Sequence, residues 1–171
     1  MDELIAFILS NFTLTLFVMS LVSAAISLSV KKKFLDKTLL LDILFAHFLL
    51  FNVGISYIYN FVVHVFFGEM AASFIGWSQS PFQLEVGFAS LGFGVVGIIS
   101  FWAGLGFRAA TIIAPSLFLW GAAGGHIYQM VVANNFAPGN AGIIFWSDLF
   151  IPVIGLTLLY YNYKYPMRQS H

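Results

Sequence analysis

Cysteine is absent from the 171 residues, and charge is scarce: seven Lys and Arg stand against seven Asp and Glu, together 8% of the chain. The first absence excludes disulfides, thiolate metal sites and thiol nucleophiles. The second excludes a fully water-facing surface, because a soluble domain carries about 25% charged residues. No basic run is long enough for a nucleic-acid partner, and the formal net charge is zero. Signal-peptide character is also lacking. The chain starts Met-Asp-Glu and then runs uncharged from Leu4 to Val30, acidic where such a peptide is basic and too long for its apolar core, so this stretch is expected to be a retained first span. No repeat of 20 to 50 residues and no low-complexity segment is visible.

What the chain has instead is hydrocarbon: 60% hydrophobic residues, 20 Phe and a mean hydropathy of +0.93. A helix needs about 20 apolar residues to cross the hydrocarbon of a bilayer. Five segments qualify, at about residues 4–30, 39–67, 81–102, 109–132 and 141–163. They predict an all-α integral membrane protein, a bundle of five transmembrane helices forming one domain over residues 1–171. Ser80-Pro81-Phe82-Gln83 has the form of a capping box with Pro81 at the first helical position, which starts the third helix near Ser80. Pro138-Gly139 is the central pair of a type II turn, separating the fourth helix from the fifth. Residues 68–79 and 103–106 read as loops.

In this five-span arrangement Lys31, Lys32, Lys33, Lys37, Arg108, Lys164 and Arg168 all fall at one end of the bundle. The positive-inside rule makes that end cytoplasmic, with the N-terminus outside and the C-terminus inside. In a prokaryotic host the location is then the inner membrane, multi-pass, and the opposite end faces the periplasm or exterior.

Ionisable groups inside a bilayer cost several kcal/mol unless they are paired or hydrated, so each is a candidate for function. Six are present: Asp42, His47, His64, Glu85, His126 and Asp148. Asp42 lies near the interface, where a salt bridge to the Lys31–Lys37 cluster is expected. The 1.5 Å rise per residue places His64, Glu85, His126 and Asp148 in one layer towards the exterior, one on each of helices two to five. Asn52, Ser56, Asn60 and His64 recur every four residues as a polar stripe on helix two. Gly87, Gly92, Gly94 and Gly97 on helix three and most of Gly121 to Gly125 on helix four read as packing positions.

Three stretches carry a resemblance: Ser80-Pro81-Phe82-Gln83 with Glu85-Val86-Gly87-Phe88, Gly121 to Gln129, and Asn135 to Gly142 with downstream Asp148. Across roughly residues 75–160 the chain resembles a family of small prokaryotic multi-span membrane proteins with no assigned function. The resemblance implies a prokaryotic membrane location and supplies no activity.

Two imidazoles and two carboxylates at one depth form an N2O2 set suited to zinc, ferrous iron or manganese. One expectation is therefore a divalent metal held by His64, Glu85, His126 and Asp148, with Asn60, Tyr128 and Gln129 around it and catalysis open. The alternative is a binding or transport pocket in which Glu85 and Asp148 hold a small molecule, a cation or a proton. Haem between His64 and His126, or a purely structural subunit with these groups paired, completes the set. The lipid bilayer is the expected partner, with a homo-oligomer or channel among the arrangements open to five helices.

Overall fold

Long apolar runs with few charges can satisfy their backbone in lipid only by forming helices, and the chain does so throughout. The computed structural model describes residues 2–32 and 35–166; Lys33 and Arg168, two of the orienting charges, lie outside them. The helices are α1 (Asp2–Ser10), α2 (Phe12–Val30), α3 (Lys37–Leu49), α4 (Ser56–Phe66), α5 (Gly68–Ile75), α6 (Phe82–Ser100), α7 (Leu105–Ala133), α8 (Pro138–Ala141) and α9 (Ile143–Lys164). A π-helical stretch, Leu50–Ile55, joins α3 to α4. No strand occurs among the described residues. Five helical runs are long and apolar enough to cross a membrane: Phe12–Val30, Lys37–Phe66, Phe82–Ser100, Leu105–Ala133 and Pro138–Lys164.

Five boundaries differ from the sequence reading. The third span has Pro81 in the N-cap position with no side-chain cap bond, so Ser80 and Gln83 form no capping box and α6 begins at Phe82. The first span breaks at Asn11, whose side-chain amide donates to the Phe7 carbonyl, so α1 and α2 are separate helices. Residues 68–79 contain a helix, α5, ended by Gly76 in the left-handed conformation that glycine adopts without strain. Leu105 and Gly106 are already helical, because Gly104 caps α7. Pro138 opens the short helix α8 in place of a type II turn, its fixed φ and missing N–H suiting the first turn of a helix.

The second span, α3 to α4, is the axis of the bundle. Phe45, Phe48, Leu49, Val53 and Tyr57 on it pack with Ile112 of α7 and Ile151 of α9 in the buried core. Against its other side lies α6, whose Gly87, Ser90, Gly94 and Gly97 recur at the i, i+3, i+7, i+10 spacing that lines one helix face. Gly97 meets the backbone of Gly54 in the π-helical stretch. A Cβ on Gly94 would lie 2.8 Å from the side chain of Ile58 and 2.9 Å from its backbone nitrogen. Apolar surface gives no drive for helices to associate in lipid, so this close approach of backbones supplies dispersion contact instead. Gly92, Gly121 and Gly124 have open space where a Cβ would go, so the packing role expected of them does not apply.

At the lysine end, Arg108 is buried and spends its guanidinium on three acceptors: the Ser100 carbonyl at 2.9 Å, the Phe101 carbonyl at 2.9 Å and Asp42 Oδ1 at 2.7 Å. The sequence reading pairs Asp42 with the lysine cluster; its partner is Arg108, because the carbonyls closing α6 keep acceptor capacity that a buried cation can cap while reaching α3. Lys37 stacks 3.6 Å over the half-buried ring of Tyr165, which brings the start of α3 to the end of α9. Its hydrogen bond, with the charges of Lys164 and Lys37, holds the Tyr165 hydroxyl below the usual phenol range.

The glycine seam gives a paired test. Gly97→Leu is expected to destabilise the protein by about 2 kcal/mol or more through overpacking against Gly54. Gly92→Ala is expected to be neutral or to stabilise by up to about 1 kcal/mol, because it removes a helical glycine into open space. Reversible unfolding in detergent measures both, and equal effects would show that α6 does not pack through this face.

Candidate functional site

Between α7 and α8 the chain reads Asn134-Asn135-Phe136-Ala137-Pro138-Gly139-Asn140. Asn134 ends α7 at φ 54°, in the left-handed region that asparagine tolerates better than most side chains. The Asn135 amide donates to the carbonyls of Ile75 at 3.0 Å and Gly76 at 3.1 Å, and its oxygen accepts from the Ala137 N–H. The end of α5 is thereby clamped to the start of α8. Gly139 lies against Phe74, where a Cβ would meet the ring at 2.6 Å. These contacts hold Asn140 in the interior with no exposed surface.

Every hydrogen-bonding position of Asn140 is addressed. Its amide nitrogen donates to the His126 carbonyl at 3.2 Å and to the Asn135 carbonyl at 2.8 Å, both of which can only accept. Its oxygen accepts from the Trp77 indole N–H at 2.8 Å, a group that can only donate. The amide orientation follows from these three bonds. The oxygen is then 2.8 Å from His126 Nδ1, so that nitrogen must be the donor. Across the ring, His126 Nε2 faces Asp148 Oδ2 at 3.5 Å. Both side chains are 7% exposed.

An Nδ1–H imidazole leaves two states for Nε2. It carries a second proton opposite a carboxylate, or it offers a lone pair to a carboxylic acid; either way the His126–Asp148 pair holds one proton beyond that on Nδ1. A neutral imidazole lone pair against an ionised carboxylate would leave a bare charge in the interior, a cost of several kcal/mol. Pro152 has no N–H, so the Asp148 carbonyl loses its helical partner. The buried Tyr57 hydroxyl has no hydrogen-bond partner among the described residues. The Trp77 ring lies 5.3 Å from the imidazole, and a Cβ on Gly125 would sit 3.3 Å from that indole.

Of the four expected metal ligands, the structure therefore brings together two. His64 is hydrogen-bonded through Nδ1 to Gln83 Oε1 on α6. Glu85 stands exposed in the first turn of α6, where the positive end of the helix dipole favours an acid, and no hydrogen bond or ion pair joins it to another described residue. Among the described residues no group of three or more His, Asp or Glu side chains could hold one metal ion. His126 has both ring nitrogens engaged, which leaves none for a haem iron while those contacts stand. Asn60 donates to Ser90 Oγ at 2.9 Å, joining α4 to α6 away from the pair. Tyr128 is 62% exposed, because two residues along a helix turn it to the face opposite His126. No hydrogen bond joins the Gln129 side chain to either member of the pair.

Residues 10–168 match a family described as "Family of unknown function (DUF6790)". The chain belongs to this family. The match covers every element from the end of α1 to the end of α9, and so includes each residue of the Asn140 network. No curated protein and no solved structure matches the chain.

The groups that sequence reasoning passed over are Asn140 and Trp77. Asn140 sits inside a motif that reads as a turn, and nothing in the sequence distinguishes it from Asn134. Asn140→Ala strands the N–H groups of Trp77 and His126 together with two carbonyls, so a loss of about 3 kcal/mol or more is expected in reversible unfolding, with faster deuterium exchange at the Trp77 indole. A loss under about 1 kcal/mol with unchanged exchange would show that Asn140 does not organise the site.

Proposed function

We propose that this multi-pass membrane protein binds and releases a proton at the His126–Asp148 pair, as the ionisable centre of a proton-coupled binding or transport module. What supports this reading is the saturated amide of Asn140, which favours an Nδ1–H imidazole and so a resting state in which the pair holds one further, exchangeable proton. Gain or loss of that proton changes the charge of a group bonded, through Asn140, to Trp77 and to the α5–α8 cap. A change at the pair is thereby carried to the end of the bundle that covers it. A metal needs a third ligand, and the pair supplies two.

Orientation enters the same reading. By the positive-inside rule the lysine end lies in the cytoplasm, which turns the pair and its cap to the exterior or periplasmic side of a prokaryotic inner membrane. Proton exchange would then take place with the outer aqueous phase, by way of the cap.

Asp148→Asn tests the proposal. The variant is isosteric, and its amide N–H satisfies His126 Nε2 without a dissociable proton. Infrared difference spectra of the protein taken between about pH 5 and pH 8 are expected to contain a carboxyl band sensitive to deuterium, absent from the variant. Identical spectra from folded wild type and variant would end the proton assignment.

A further inference from the structure

A second site stands apart from the proton pair. A cleft of about 680 Å³ opens between the end of α4, the start of α5 and the start of α6. His64 lines it, and Gln83 determines how. The Gln83 amide nitrogen donates to the Gly68 carbonyl at 2.6 Å and to Gln79 Oε1 at 2.8 Å. Both its protons are used, so the oxygen is what faces His64 Nδ1, and that nitrogen donates the bond between them. In the neutral ring Nε2 then keeps a lone pair. No hydrogen bond reaches Nε2, and it is not among the atoms sealed from the surface without a partner.

The charge around the cleft has one sign. Glu69 lines it with an exposed carboxylate that has no hydrogen bond or ion pair among the described residues, and no Lys or Arg occurs anywhere from residue 38 to residue 107. An anion finds no counter-charge here. The remaining wall includes Phe66, Phe67 and Met70, all more than half exposed, which present aromatic and thioether surface beside the carboxylate.

We propose that this cleft binds a primary ammonium group carried on a hydrocarbon body. An N–H of the ligand donates to His64 Nε2, the Glu69 carboxylate balances its charge, and the rings cover the first carbons through cation–π and apolar contact. A metal ion would need a third ligand that these residues do not bring. A quaternary ammonium has no N–H for the imidazole. The volume exceeds what a bare ammonium ion fills, so the carbon body is part of the recognition.

The ligand has two sources, a free alkylamine or the ethanolamine headgroup of a lipid. Calorimetric titration of the full-length protein with hexylamine, in nanodiscs of phosphatidylcholine and in nanodiscs of phosphatidylethanolamine, separates them. Saturable binding of hexylamine in phosphatidylcholine is expected, at least about tenfold tighter than hexyltrimethylammonium and at least about tenfold weaker in both His64→Phe and Glu69→Gln. Weakening in phosphatidylethanolamine discs assigns the site to the lipid headgroup, and equal affinity in both assigns it to a free amine. Glu69 is exposed, so Glu69→Gln keeps the fold even where His64→Phe does not. Absence of saturable binding, or equal binding of both probes to wild type and Glu69→Gln, would overturn the proposal. Asp148→Asn is expected to leave hexylamine binding unchanged, so the two sites stand or fall separately.

Discussion

A buried amide with two donors and one oxygen must find acceptors for the first and donors for the second, and in a membrane protein's interior water is a poor source of either. Asn140 meets that demand from three parts of the chain: the carbonyls of Asn135 and His126, the indole of Trp77 and the imidazole of His126. Much of the arrangement around it follows. The α7–α8 turn is shaped to present Asn140, α5 is placed to present Trp77, and His126 is left with Nε2 towards Asp148. This amide leaves its neighbours little choice of protonation and orientation.

The same logic operates at the opposite end with a cation. Arg108 caps the carbonyls at the end of α6 and pairs with Asp42 of α3, so a single buried side chain closes that end as Asn140 closes the other. Between these ends the helices meet through small residues. Gly97 on Gly54, in the π-helical stretch, lets α6 approach the second span closely enough for Ser90 to reach Asn60 and Gln83 to reach His64. Packing of backbones in the middle thus determines which polar side chains meet at the rim. His64 and His126 have different partners, Gln83 and Asn140, where the sequence suggested one shared site.

Helix number and the identity of the polar residues were legible in the sequence because hydropathy and the rarity of charge in lipid are properties of single residues. Pairing was not legible. Glu85 has the same burial prospects as Asp148 on a depth scale, yet depth says nothing about which way a side chain points around the helix, and Glu85 points outwards. Gln83 fits a capping box by spacing alone, but α6 has no side-chain cap and Gln83 reaches α4 and Gly68 instead. Asp42 met a similar outcome, since its ion pair is with an arginine 66 residues away in sequence. A helical α5 within residues 68–79 carried the least signal, being short, and it is what delivers Trp77.

The protonation of one imidazole is the point on which the functional reading turns. Nitrogen-15 spectra of protein labelled in its histidine rings, with His126→Gln for assignment, read the two ring nitrogens separately. The expected result in the folded protein at neutral pH is a protonated Nδ1, with Nε2 either protonated or hydrogen-bonded to a proton held by Asp148. A bare Nδ1 beside a protonated Nε2 would contradict it, because Asn140 would then be facing His126 with the wrong atom.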